Sequence, residues 1–196
     1  MNGLREAILR KSSESRGTQE QFFADHADRI MECAAAMSAA FESGGRLFVA
    51  GNGGSACDAQ HVAVEFMHPV LAKRRALPAT ALTTDSAWLT AVCNDADFSV
   101  AFAEQLRLLG GAGDIMLGIS TSGQSASVNR ALQAAREMDI LTVGFSGRDG
   151  GRMQPLCDFC FTVPSFSIHR IQESHVALLH VIWDAIHLLR GEDDLL

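Results

Sequence analysis

Gly51-Asn52-Gly53-Gly54-Ser55-Ala56-Cys57-Asp58-Ala59-Gln60-His61-Val62-Ala63-Val64-Glu65 follows a short apolar run, Arg46 to Ala50, and runs into an amphipathic segment. The apolar run reads as a buried strand and the segment after it as a helix starting near Ser55. The glycines therefore sit at a strand-to-helix turn. There the backbone can approach an anion closely, and the helix N-terminus offers N–H groups and positive dipole. Ser55 is expected to cap the helix and to offer its hydroxyl to a phosphate. His61 and Glu65 stand four apart and share one helical face. A phosphate cradle and a His/Glu pair on one helix point to a phosphorylated substrate beside a general base or a metal.

Outward from this stretch, strand and helix patterns alternate. Leu77–Leu82 reads as a second strand, and Asp85 caps a helix to about Val92. Phe98–Leu109 reads as another helix, Asp114–Ile119 as a third strand, and a further helix runs to about Met138. Ile140–Phe145 and Phe159–Val163 are the last strands, and Ile168–Leu189 is the last helix. This alternation predicts an α/β fold with a five-stranded parallel sheet and right-handed crossovers. Ahead of it, residues 1–43 form a helical arm, broken by the polar stretch Ser12–Thr18 into two helices and ended by Gly44-Gly45. Residues 44–196 then form the main domain.

In such sheets ligands bind at the carboxyl ends of strands. Ser120, Thr121, Ser122 and Ser125 surround Gly123 at such an end, just before a helix. Four hydroxyls in six residues exceed what capping needs, and hydroxyls with backbone N–H groups hold a phosphate without Arg or Lys. The last helix carries His175, His180 and His187 in a nearly all-apolar segment, a pattern of burial, expected between subunits. Spacing does not choose among the three.

Composition narrows the class. The chain has 196 residues, 47% hydrophobic, with a net charge of −7. Beyond Lys73-Arg74-Arg75 it has no basic run, so nucleic-acid binding has no electrostatic support. No signal pattern and no apolar run of membrane-spanning length is present, so a cytoplasmic protein is expected. Five irregularly spaced cysteines make no disulfide framework, and Cys157-Asp-Phe-Cys160 reads as free thiols at a strand rather than a zinc site.

Taken together, Gly-Asn-Gly-Gly-Ser-x-x-Asp-Ala-Gln-His with Glu65, Leu82-Thr-Thr-Asp85, Asn94-Asp95, Ile119-Ser-Thr-Ser-Gly-x-Ser125, and Arg170-Ile-Gln-Glu173 followed by His180 resemble one family. It is the sedoheptulose 7-phosphate isomerase (phosphoheptose isomerase) group of the sugar isomerase (SIS) domain family, and the resemblance spans essentially the whole chain. It implies a flavodoxin-like SIS sheet and aldose–ketose isomerisation through an enediol. It implies one Zn²⁺ per subunit on His61, Glu65, Gln172 and His180, with Glu65 and His180 as base and acid. Asn52, Gly53, Gly54, Ser55, Ser120, Thr121, Ser122 and Ser125 would hold the phosphate end, and Asn94, Asp95 and Gln172 the sugar. Homotetramers with active sites between subunits are implied as well. Gln172 and His180 are eight apart, about 12 Å along one helix, so either they lean together or one comes from a neighbouring protomer. Two positions depart from the family: Pro69, where many relatives carry Arg, and His169, where some carry Asp. Pro69 also ends the His61 helix early. The alternatives carried forward are a non-catalytic SIS adaptor and a sugar-phosphate sensor.

Overall fold

The computed structural model describes residues 2–70 and 74–194; of the basic run, Lys73 lies outside them. Five parallel strands, β1 (Leu47–Gly51), β2 (Ala79–Ala81), β3 (Ile115–Ser120), β4 (Leu141–Gly147) and β5 (Phe159–Val163), form one sheet in the order β2-β1-β3-β4-β5. This is the flavodoxin-like order. The chain leaves β1 for one edge and returns through β3 on the other side, so the carboxyl ends of β1 and β3 adjoin, with Gly51 in register with Ile119. That pair marks the switch point where such sheets bind ligands.

Alternation along the strands builds two cores. Leu47, Val49, Ile115, Leu117 and Ile119 face α1 (Asn2–Glu42), α2 (Gly54–Met67) and α6 (Ile168–Leu189). Phe48, Ala50 and Met116 face α4 (Ala101–Leu109) and α5 (Ala126–Glu137). α3 (Ser86–Asp95), capped by Asp85 through a bond from the Trp88 N–H, has no buried residue. α2 stops at Met67, two residues before Pro69, because the residue before a proline is pushed out of the helical region.

The N-terminal segment departs from expectation. It is one 41-residue helix rather than two. The polar stretch holds no proline, and Gly17 weakens a helix by only about 1 kcal/mol. Long-range contacts supply the rest: Arg170 Nη1 donates to the Lys11 carbonyl at 3.1 Å, and Ser15 Oγ donates to Glu173. From Phe22 onward α1 enters the core through Ile30, Cys33, Ala34, Met37 and Phe41. Its first turns leave Leu4, Ile8 and Leu9 exposed.

Candidate active site

The first loop turns at Gly53, whose φ of 58° and ψ of −122° favour glycine. Gly53 is also the N-cap of α2, so Ser55 is the second residue of the helix and not its cap. Ser55 is buried at the loop floor. The second loop turns at Gly123, φ 63°, where an added Cβ would strike the Gly150 carbonyl at 2.1 Å. Ser120, Thr121, Ser122 and Ser125 all lie on this loop. Ser125 occupies the N-cap position of α5 without a side-chain cap bond. Its hydroxyl instead accepts from Asn52 Nδ2 at 2.7 Å, and Asn52 donates also to Ser127 at 2.9 Å. The two loops are thereby stitched side by side over the switch point, with two helix N-termini beside them. Such a concavity suits an anion.

About 9 Å along α2 from Ser55, His61 and Glu65 meet α6. His61 Nε2 lies 3.7 Å from Glu65 Oε2. The His180 ring stands edge-on to His61, centroids 5.1 Å apart. One donor atom from each of His61, Glu65 and His180 lies within 4.8 Å of the others, and all three residues are half-buried. Two imidazoles and a carboxylate make the donor set that a catalytic zinc ion accepts, where ligands stand about 2.0–2.2 Å from the metal. The three need close by only about an ångström to share an ion. Among the described residues no other group of His, Cys, Asp and Glu donors comes together this way.

The family model described as SIS domain matches residues 12–147. The chain belongs to the SIS domain family. Within that family it is 49% identical over 164 residues to the phosphoheptose isomerase of Desulfovibrio desulfuricans, covering 84% of this chain and 78% of that one. Phosphoheptose isomerase structures from Neisseria gonorrhoeae and Francisella tularensis superpose on it with TM-scores of 0.87 and 0.90 at 38% and 34% identity. They cover 93% and 96% of this chain and 98% and 100% of theirs.

On this SIS scaffold the remaining site residues divide. Gln172 lies against the start of α2: an added Cβ on Gly54 would meet its Nε2 at 2.5 Å. It shares the wall of one cavity with Asp58. Asn94 and Asp95 bond each other at 2.6 Å on the exposed last turn of α3, outside the stitched loops. His169 lines a cavity with Asp58, Gln172, Glu173 and Val176. Pro69 follows the end of α2.

Two residues escaped the sequence reading. Ser127 completes the Asn52 stitch, and only its place in Ser125-Ala-Ser127 hinted at it. Asp58, one turn ahead of His61, is buried with its Oδ2 unpartnered. Burial raises its pKa above the usual value, while the neighbouring Gln172 amide and the charge of His61 pull it back. The other helix histidines are structural. His175 is fully enclosed and donates to the Ser146 carbonyl at 2.9 Å, and burial lowers its pKa to about 4. His187 is buried against Glu192 at 2.9 Å, its pKa also lowered by burial.

Proposed function

We propose that this chain is a phosphoheptose isomerase, interconverting sedoheptulose 7-phosphate and D-glycero-D-manno-heptose 7-phosphate through an enediol. The carrying observation is the His61–Glu65–His180 trio, two of whose members lie on α2, the helix that starts at the stitched cradle. Asn52 to Ser55 with Ser120, Thr121, Ser122 and Ser125 hold the phosphate. The carbonyl end of an extended seven-carbon chain then reaches the trio along α2. Similarity to enzymes named phosphoheptose isomerase over nearly full length supports the same substrate.

In the reaction the Glu65 carboxylate takes a proton from C1 of the open ketose while His180 gives one to the C2 oxygen. Protonation at C2 and loss of the O1 proton complete the aldose. General acid–base groups of this kind contribute about 10²–10⁴-fold each. His61, Glu65, Gln172 and His180 would hold one zinc ion per subunit. When bound, zinc supplies a positive charge that polarises the substrate carbonyl. A Glu65 shared with a metal is a weaker base, so its hold on the ion has to be loose.

Assembly as a homotetramer completes the reading, with residues 1–43 serving assembly and 44–196 the chemistry. Supporting it are exposed Leu4, Ile8 and Leu9, and α3 with no buried side chain. So is an apolar groove of about 470 Å³ between α1 and α6, lined by Phe23, Met31, Val181 and Leu188 among others. Contiguous apolar surface of this kind marks interfaces. Asn94 and Asp95 then meet the sugar across a subunit boundary. Among the described residues no helix is long and apolar enough to cross a membrane.

The test is direct: purified protein, supplied with zinc, is incubated with sedoheptulose 7-phosphate and followed by NMR. Appearance of the aldoheptose 7-phosphate is expected. No turnover by an intact tetramer would reject the isomerase.

A further inference from the structure

Asn129 lies in the first turns of α5, six residues beyond Gly123, and has no part in the proton transfers above. It is only 9% exposed. Its Nδ2 donates to the Gly123 carbonyl at 3.1 Å, while its Oδ1 is buried without a partner. An acceptor buried unused is unfavourable. Its neighbours Val128, Ala131 and Leu132 belong to the apolar core, so an apolar side chain would serve packing better than this amide. What the amide supplies is the bond to Gly123.

That bond sets the second loop from its middle. The Gly123 carbonyl also accepts from the Met153 N–H at 3.1 Å, so two donors hold it inward, and Gly123 itself is buried. The peptide joining Gly123 to Gln124 is planar and trans, so its C=O and N–H point opposite ways. With the carbonyl turned in, the Gln124 N–H turns out, and Gln124 is exposed. There it donates to Ser122 Oγ at 3.2 Å. A hydroxyl that accepts one bond still has a proton to give, and the Ser122 proton goes to no acceptor among the described residues. Donation into the oxygen also makes that proton a better donor.

We propose that Asn129 is a positioning residue for phosphate: by pinning the Gly123 carbonyl inward, it sets the Gln124 N–H against Ser122 Oγ and leaves the Ser122 proton for the phosphate. The role rests on the isomerase reading, in which this loop holds the phosphate end. It acts on binding through Ser122 and leaves the His61–Glu65–His180 chemistry alone. Without it Met153 still holds the carbonyl, so the loop loosens but does not collapse.

Kinetics on sedoheptulose 7-phosphate, inhibition by inorganic phosphate and melting temperatures test it together. Asn129→Leu removes the unused acceptor along with the donor, so the melting temperature should not fall. KM should rise about two- to tenfold, the ratio for one uncharged hydrogen bond, with kcat kept. The inhibition constant of inorganic phosphate should rise by the same factor. Asn129→Asp, matched in shape, sets an acceptor against the carbonyl and should raise KM at least as far. Combined with Ser122→Ala, Asn129→Leu should add nothing to the rise that Ser122→Ala gives alone. A multiplicative rise in the double variant would overturn the role, and so would a wild-type KM in Asn129→Asp. A fall in kcat at constant KM, or melting temperatures lowered in both variants, would make Asn129 part of the fold only. If the wild type turns over no sugar phosphate, the isomerase reading falls, while weaker inorganic-phosphate binding by Asn129→Leu in a direct titration still upholds the role. A wild type that turns over, beside variants that share its KM, removes Asn129 alone.

Discussion

His175 and His180 lie five residues apart on α6, about 140° around the helix, and they live in different chemical worlds. His175 points at the sheet. It donates to Ser146 at the end of β4 and packs 5.7 Å from the Phe145 ring, with burial keeping it neutral. His180 points at α2, half-buried, where His61 and Glu65 wait. One imidazole is a wedge that joins helix to strand; the other stands within reach of two further donor side chains. The difference shows that the facing element, and not the residue type, sets a histidine's role.

The largest effect should come from the α2-facing side. Glu65→Gln keeps an oxygen for a metal but cannot take a substrate proton. We expect kcat to fall about 10²–10⁴-fold with sugar-phosphate affinity retained, read by steady-state kinetics and ligand titration with and without added zinc. His180→Gln should behave alike. Recovery of Glu65→Gln by excess zinc would leave Glu65 a ligand only, and near-normal kcat would take it out of the chemistry.

The sheet-facing side should respond in stability. Folded His175 titrates near 4, against about 6.5 in an unfolded chain. Between these values the unfolded chain binds the proton and the folded chain does not. Its contribution is therefore complete above about pH 6.5 and is lost as pH falls toward 4, by up to about 3 kcal/mol. Urea unfolding across that range should show a steeper loss in wild type than in His175→Gln. Equal slopes would mean that His175 is not the buried neutral wedge described.

Ser122→Ala separates binding from both histidine roles. Losing one hydrogen bond to a charged phosphate costs about 1.5–3 kcal/mol, so KM should rise by roughly ten- to a hundredfold with kcat little changed. An unaltered KM would make the second loop a cap and nothing more. The smallest effect is expected from Gly54→Ala. The three atoms nearest its Cβ all belong to the end of the Gln172 side chain, which can swing away, so the melting temperature should stay within a degree or two. Zinc affinity should still drop, because Gln172 is displaced. A large loss of stability instead would mean that the amide cannot move.

Much of this was legible in the residues. The strand–helix alternation, the parallel sheet and both loops at strand ends follow from periods of 2 and 3.6 and from glycine and serine clusters, all local signals. The pairing of His61 with Glu65 is likewise local, being one helical turn. Strand limits shifted by a residue or two, as element ends do. Other features depended on partners far away in the chain. Helix α1 runs unbroken through Ser12–Thr18 because Arg170 and Glu173 of α6 hold it. Ser125 gives its hydroxyl to Asn52, 73 positions away, rather than to its own helix. That His180, rather than His175 or His187, stands beside His61 and Glu65 came from which surface each one faces. Burial of Asp58 came from α6 lying across α2. Periodicity and turn chemistry are written into neighbouring residues, so the sequence carries the elements and their order. Burial and hydrogen-bond partners arise only when distant segments meet, and in this protein they decided which side chains stand together.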